Sequence, residues 1–285
     1  MEAITQSAAL SPLAGNETAR FFMAGRFAGL ECMTATFHRH CYALHTHETY
    51  SIGTILAGCE TWTARGRRNY AGAGCLVFVN PGDAHDGAPH GGGYAYRMTY
   101  PTIAMLAEIA AEIAGREAVG TPSFAESAIH DPEGAALFAA AHRALERDDD
   151  PLAAEELLHR AYARCLARNG RIEPAPVRRE HGAVARVKAM LGDRHAEDLT
   201  LTALAATAGL SRHHLIRAFR RETGFTPHAY LVNCRVDAAR VRLRRGESPA
   251  DVAAVTGFCD QAHLTRAFKA RIGVTPGVYR AAALA

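Results

Sequence analysis

The chain has 285 residues, with 32 basic and 29 acidic side chains, so it is close to neutral overall and long enough for two domains, each with its own core. Seven scattered cysteines, odd in number and without a Cys-x-x-Cys pair, exclude a disulfide framework and fit a reducing compartment. No apolar run approaches the ~18 residues of a membrane span and no basic-then-apolar leader opens the chain, so a cytoplasmic protein without a membrane partner is expected.

The first segment, from about Phe21 to Tyr100, holds most of the aromatic and β-branched clusters. Glycine-rich breaks interrupt it at Gly66, Gly72 and Gly74, Gly82 and Gly91-Gly92-Gly93. Short strands at this spacing predict an antiparallel barrel or sandwich. Leu76-Val77-Phe78-Val79 reads as a buried strand entering the Asn80-Pro81-Gly82-Asp83 turn. From Pro101 to Ala114, and from Pro132 to Arg168, the pattern becomes Ala/Leu-rich and helical, broken near Asp148-Asp149-Asp150-Pro151. These helices are expected to pack on the barrel or on a partner subunit. Asn169 to Gly182, polar with two prolines and two glycines, reads as a linker.

Two pieces of the barrel carry candidate chemistry. One is His45-Thr46-His47-Glu48, preceded by His38 and His40; the other is Pro81-Gly82-Asp83-Ala84-His85. Side chains alternate along a strand, so His45 and His47 share a face that can be the barrel interior. With His85 from a later strand, three imidazoles can converge as ligands for zinc or another divalent metal. The other open roles for these histidines are effector contact and structural hydrogen bonding. The arrangement resembles the cupin fold, whose two motifs carry His-x-His and Pro-x-Gly-x-x-His. It departs from that pattern where an acid is expected about four residues beyond the second histidine. Ser51 stands near that place, Glu48 is adjacent, and the second motif is Pro-Gly-x-x-His. Tyr50, Trp62, Tyr94, Tyr96 and Arg97 are further candidates to line a pocket.

Beyond the linker a helical unit is written twice. Leu215 to Tyr230 (LIRAFRRETGFTPHAY) recurs as Leu264 to Tyr279 (LTRAFKARIGVTPGVY), with 8 identities in 16 positions at an offset of 49. Each copy reads as short helix, glycine turn and second helix, the order of a helix-turn-helix. Thr200 and Ser248 are candidate caps of the first helices, and Ser211 and Asp260 of the second. Leu215/Phe219 and Leu264/Phe268 should face each copy's core. Ala229 to Arg245 lacks Gly and Pro and reads as a long linking helix.

The run Thr256-Gly257-Phe258, Asp260-Gln261, His263-Leu264, Arg266, Phe268-Lys269, Gly273, Thr275-Pro276 and Tyr279-Arg280 resembles the DNA-binding domain signature of the AraC/XylS family of bacterial regulators, over roughly Val184 to Arg280. Charge agrees independently: residues 1–177 carry 14 Lys+Arg against 20 Asp+Glu, and residues 178–285 carry 18 against 9. A positive domain suits a phosphate backbone, whose released counterions supply most non-specific affinity. By position in the motif, Arg212, His213, Ile216 and Arg217 in the first copy and Gln261, Ala262, Thr265 and Arg266 in the second are the candidates to meet base edges. Arg217 and Arg266, identical across the repeat, serve phosphate positioning or an internal ion pair equally well. Arg220, Arg221 and Lys269 are candidates for phosphate.

The expected fold is multi-domain α+β: a cupin-like antiparallel β-barrel in residues 1–100, a helical segment in 101–168, the linker 169–182, and an all-α double helix-turn-helix in 183–285. The expected function is non-enzymatic: sequence-specific regulation of transcription on double-stranded operator DNA. The resemblance implies an activator, working with RNA polymerase as a homodimer and controlled by a small-molecule effector at His45, His47, Tyr50, Trp62, His85 and Tyr96. The alternative is a metal-dependent cupin enzyme or metal sensor fused to a DNA-binding domain.

Overall fold

The computed structural model describes residues 15–115, 120–172, 180–272 and 274–284. Residues 173–179 of the expected linker, and Gly273 of the repeat, lie outside the described residues. The chain divides into two compact units, Met1–Asp148 with Leu157–Ala175, and Asp149–Glu156 with Pro176–Ala285.

The first unit is built on β1 (Thr18–Ala24), β2 (Leu30–Phe37), β3 (Tyr42–His45), β4 (Ser51–Ala64), β5 (Arg67–Gly72), β6 (Cys75–Val79), β7 (His85–Tyr100) and β8 (Ala128–His130). All pair antiparallel in the order β1-β2-β7-β4-β6-β8, with β3 on β7 and β5 on β4. The long strands β4 and β7 serve both layers: their inner stretches pair with β2 and β6, and their outer stretches with β3 and β5. They bend at register shifts between Ile55 and Ala57 and between Gly58 and Glu60. Gly58 has φ +70°, and a Cβ there would overlap the Gly93 carbonyl, so this fold-over requires glycine.

Alternation decides what faces inward. Tyr94, Tyr96, Met98 and Tyr100 share one face of β7, opposite Phe37, Ala35 and Met33 of β2, and together they form the barrel core. The residues between them face out. Arg97, a candidate pocket residue from sequence, lies on that outer face, bonded to Glu146 Oε2 at 2.6 Å and His142 Nδ1 at 2.8 Å.

Three helices follow or interrupt the strands: α1 (Ile103–Ala114), α2 (Pro132–Arg147) and α3 (Pro151–Arg168). They match the helical stretches read from sequence, including the break at Asp148-Asp149-Asp150. Asp131 caps α2 by accepting from Gly134 N–H at 3.1 Å, and Arg164 donates to both its oxygens at 2.6 Å. α2 packs on the sheet through Phe138 and His142, and Tyr162 of α3 donates to Thr99 at 2.8 Å. α2 and the Tyr162 stretch of α3 therefore pack on the barrel. Within the segment expected to be helical, Ala128–His130 instead forms β8, paired with Val77 to Cys75. Three residues are too short for periodicity to reveal, and the free edge of β6 supplies the partner.

The second unit contains α4 (His181–Asp193), α5 (Leu201–Ala208), α6 (Arg212–Thr223), α7 (Pro227–Arg244), α8 (Pro249–Val255), α9 (Gln261–Ile272) and α10 (Pro276–Leu284). The hydroxyls of Thr200, Ser211, Thr226 and Ser248 accept from the N–H three residues on, and Asp260 does the same for His263. α5–α6 and α8–α9 are the two helix-turn-helix copies, and α7 links them with a side for each core. Leu231 joins the core of Val187, Leu204, Leu215 and Phe219, while Val232, Val236 and Leu243 join that of Val252, Leu264 and Phe268. Each fully buried Leu or Phe contributes about 1.5–3 kcal/mol. The repeat extends to its ring contacts: Tyr230 stands edge-on to Phe219 at 5.5 Å, and Tyr279 edge-on to Phe268 at 5.3 Å. Asp149–Glu156 belongs to this unit through Leu152 in the first core and Asp150, which bonds His228 Nε2 at 2.9 Å. Arg235, buried in α7, donates to the carbonyls of His195 and Glu197 and so ties the loop before α5 to the linking helix.

Candidate functional site

In the first unit β3 delivers His45, the following turn His47, and the first residue of β7 His85. The three rings stand 4.3–5.0 Å apart between centroids, and their ligating nitrogens all lie within 4.8 Å of one another. Backbone carbonyls fix the tautomers. His45 Nδ1 lies 2.8 Å from the Ala43 oxygen and His85 Nδ1 3.0 Å from the Asp83 oxygen. Each Nδ1 then carries the proton and each Nε2 keeps its lone pair. Burial pulls the His85 pKa down to about 4, so its ring is neutral near pH 7. Three buried imidazoles fit a zinc-type ion as donors. Glu48, the acid adjacent to the motif, is exposed, and the group found among the described residues is the three histidines alone.

These histidines border a chamber of about 40 Å³ inside the barrel. Of the residues proposed from sequence, His45, Trp62, His85 and Tyr96 line it, and His47 stands beside it, its ring 5.7 Å from Tyr100. Tyr50 does not. It is fully buried away from the chamber, its hydroxyl donating to the Pro122 carbonyl at 2.5 Å and its ring edge-on to Phe124. Tyr50 begins the return into β4 and packs toward the helical side, so its assignment as an effector residue is corrected to a core role.

Sequence reasoning missed Tyr42, Glu60, Asp86 and Tyr100, which also line the chamber. The signal for Glu60 was present: it lies two residues before Trp62 on the same strand and so shares its face. Its Oε1 occupies the space left by Gly87, where a Cβ would come within 3.4 Å. Burial pushes the Glu60 carboxyl up to about 7, against the steadying effect of the Tyr94 hydroxyl. The phenols of Tyr42 and Tyr96 bond each other at 2.9 Å, and Tyr96 reaches the Met33 sulfur at 3.3 Å. The Trp62 indole N–H and the Ser51 hydroxyl are buried without a hydrogen-bond partner.

In the second unit the two second helices, α6 and α9, differ in exposure. On α9, Gln261, Ala262, Arg266 and Lys269 are exposed and Thr265 is half-buried, its hydroxyl returned to the Gln261 carbonyl at 2.8 Å. On α6, Arg220 and Arg221 are exposed, while Arg212, His213 and Arg217 are half-buried. Ile216 is 4% exposed and belongs to the core with Leu215. Its assignment to the base-facing set is therefore corrected: the side chain is part of the core that also holds Leu152, Val187, Leu204 and Leu231.

A β-barrel chamber and a doubled helix-turn-helix in one chain define a ligand-binding transcriptional regulator. The family model for the AraC-like ligand binding domain matches residues 27–162, and that for a helix-turn-helix domain matches residues 204–282. The uncharacterized HTH-type transcriptional regulator YbfI of Bacillus subtilis (strain 168) is 30% identical over 228 residues, covering 76% of this chain and 79% of that protein. The chain belongs to the AraC family of DNA-binding transcriptional regulators, with a cupin-like N-terminal domain. Among solved structures, the DNA-binding domain of AdpA in complex with a target DNA is 34% identical over 35% of this chain and 91% of that one, with a TM-score of 0.34. A probable AraC family regulator from Rhodopseudomonas palustris is 25% identical over 36% and 97%, with a TM-score of 0.35. No described helix is long and apolar enough to cross a membrane.

Proposed function

We propose that the protein is a cytoplasmic homodimeric activator that works with RNA polymerase, and that a small molecule in the barrel chamber controls its binding to operator DNA. It catalyses no reaction in this reading. The observation that supports effector control is the chamber itself, enclosed by aromatic rings yet supplied with buried polar groups that lack protein partners. Control requires that the effector bind two states of the protein with different affinity.

On DNA, α6 and α9 enter successive major-groove segments about 34 Å apart. Gln261, Arg266, Arg212, His213 and Arg217 meet base edges or position the helices, Ala262 and Thr265 offer apolar contact, and Arg220, Arg221 and Lys269 bind phosphate. Sequencing the genomic fragments captured by the purified full chain, then titrating the recovered site at rising salt, tests this. A shared motif with two half-sites one helical turn apart, and a steep salt slope, is expected. Recovery of no enriched sequence would overturn it.

One observation favours a second reading for the barrel. His45, His47 and His85 present three buried nitrogens to one point, so a divalent metal held there would take part in sensing. When bound, such an ion supplies a Lewis acid able to ligate an oxygen of the effector. The chain's own part is to orient the His45 and His85 rings through the Ala43 and Asp83 carbonyls.

A further inference from the structure

The chamber is lined by carboxylates and aromatic rings among apolar side chains. Among its described lining residues the charged side chains are the carboxylates Glu60 and Asp86, and none is Lys or Arg. Burial pushes the Glu60 carboxyl up and the Tyr94 hydroxyl steadies it. Glu60 is half-buried, and a carboxylate drawn out of water without a counter-charge is costly, a cost that a cationic guest removes. The walls are aromatic: Tyr42, Trp62, Tyr96 and Tyr100 line the same space, and a desolvated cation there gains from ring quadrupoles.

A second feature is independent of charge. Trp62 and Ser51 are 4% and 2% exposed, and the indole N–H and the hydroxyl face the chamber without a protein acceptor. Buried indole N–H groups ordinarily find a partner. These two donors favour a guest that carries an oxygen as well as a positive charge. Size narrows the class: about 40 Å³ accommodates roughly three water-sized groups, far less than a sugar ring requires.

We propose that the barrel recognises a compact organic ammonium ion, preferably one bearing an oxygen acceptor, with Glu60 as its counter-charge and the Tyr42, Trp62, Tyr96 and Tyr100 rings as its cage. The proposal rests on the effector-chamber reading and gives that site a ligand class. It places the ammonium on Glu60, apart from the three histidines available to a metal.

Trp62 is the only tryptophan in the sequence, so its fluorescence reports the chamber alone. The full chain would be titrated at pH 8 with ethanolamine and ethylamine, with ethylene glycol and propanol as uncharged counterparts and zinc chloride as the metal. The expected result is a saturable change with the amines, tightest for ethanolamine, at least about tenfold tighter than with the uncharged counterparts. Glu60→Gln should weaken the amines by a similar factor and leave zinc binding in place, whereas His47→Ala should abolish zinc binding and keep the amines. Amines that bind no better than their uncharged counterparts in the wild-type chain would overturn the proposal without recourse to any variant. So would amine binding lost with His47→Ala and retained with Glu60→Gln. A parallel titration of operator DNA separates the two levels. Amine binding that leaves DNA affinity unchanged keeps the site and defeats effector control.

Discussion

Replacing Glu60 with glutamine probes the chamber's electrostatics with no ligand added. In the folded protein the carboxyl is pushed by burial from its ordinary 4.5 up to about 7. The groups facing it are phenols, Tyr42 from β3 and Tyr94, Tyr96 and Tyr100 from β7, themselves held neutral by burial. A raised acid binds its proton more tightly when folded than when unfolded. Its contribution therefore favours the fold at low pH and is lost as pH rises from about 4.5 to about 7. Between pH 5 and pH 8 that loss amounts to about 2–3 kcal/mol. His85 and His142, both pulled down to about 4 by burial, act with the opposite sign, destabilising as pH falls below 6.5. They are common to both proteins and cancel in the difference. Urea unfolding followed by Trp62 fluorescence reads the barrel specifically. The wild-type barrel should lose about 2–3 kcal/mol relative to Glu60→Gln on going from pH 5 to pH 8. A difference that stays flat across this range would refute the claim that the half-buried Glu60 carboxyl lacks a counter-charge.

Three further outcomes are expected. His47→Ala should reduce the zinc retained by purified protein, read by elemental analysis, with operator binding in the absence of effector preserved within about twofold. Asp131→Ala removes the α2 cap and the bidentate Arg164 pair, and should cost the first unit about 2–4 kcal/mol by the same fluorescence assay. Arg164 holds the Asp131 carboxyl below its usual range, so this contribution is present above about pH 4 and fades as pH falls further. On the recovered operator, Gln261→Ala should cost about 1–3 kcal/mol on the specific site, while Arg220→Ala should weaken all sequences alike and lower the salt slope by about one, both measured by fluorescence anisotropy.

The helical half was legible because its signals are local. Caps, glycine turns and i, i+4 pairs fix each helix within a few residues, and duplication exposes them twice. Leu215, Phe219, Leu264 and Phe268 are fully buried as their spacing predicts. The sequence position of Ile216, one beyond Leu215, does not reveal how wide the buried face of α6 is; that is decided by the core it joins, which includes Leu152 from outside the repeat. In the barrel, His45 and His85 meet through β3 pairing with the start of β7, 40 residues on, a contact that only the motif spacing suggested. Glu60 was passed over because an acid in a strand reads as a solvated residue. Its inward direction follows from the bulge at Gly58, which resets alternation just before Glu60 and Trp62. Tyr50 sits five residues after His45, close enough in sequence to be taken for a chamber residue. The turn into β4 sends it instead to the far side of the wall.

The two halves of the repeat have kept one core and diverged in what they show to solvent. Leu, Ala, Phe and Tyr recur at matching positions and make matching contacts, down to the edge-on ring pair in each copy. Outside that core, His214/His263 and Arg217/Arg266 are identical, and the other positions of α6 and α9 differ. α9 exposes a run of short and hydrogen-bonding side chains, Gln261, Ala262 and Arg266, along its first turn and a half. α6 has its comparable positions half-buried or in the core and is most exposed at its last turn, where Arg220 and Arg221 stand. A buried aliphatic such as Ile216 cannot discriminate bases, whereas a guanidinium at a helix end can still hold a phosphate. In the proposed docking, base discrimination therefore falls mainly on α9 and anchoring mainly on α6. Loss of Gln261 then changes which sequence is chosen, and loss of Arg220 changes how tightly every sequence is held.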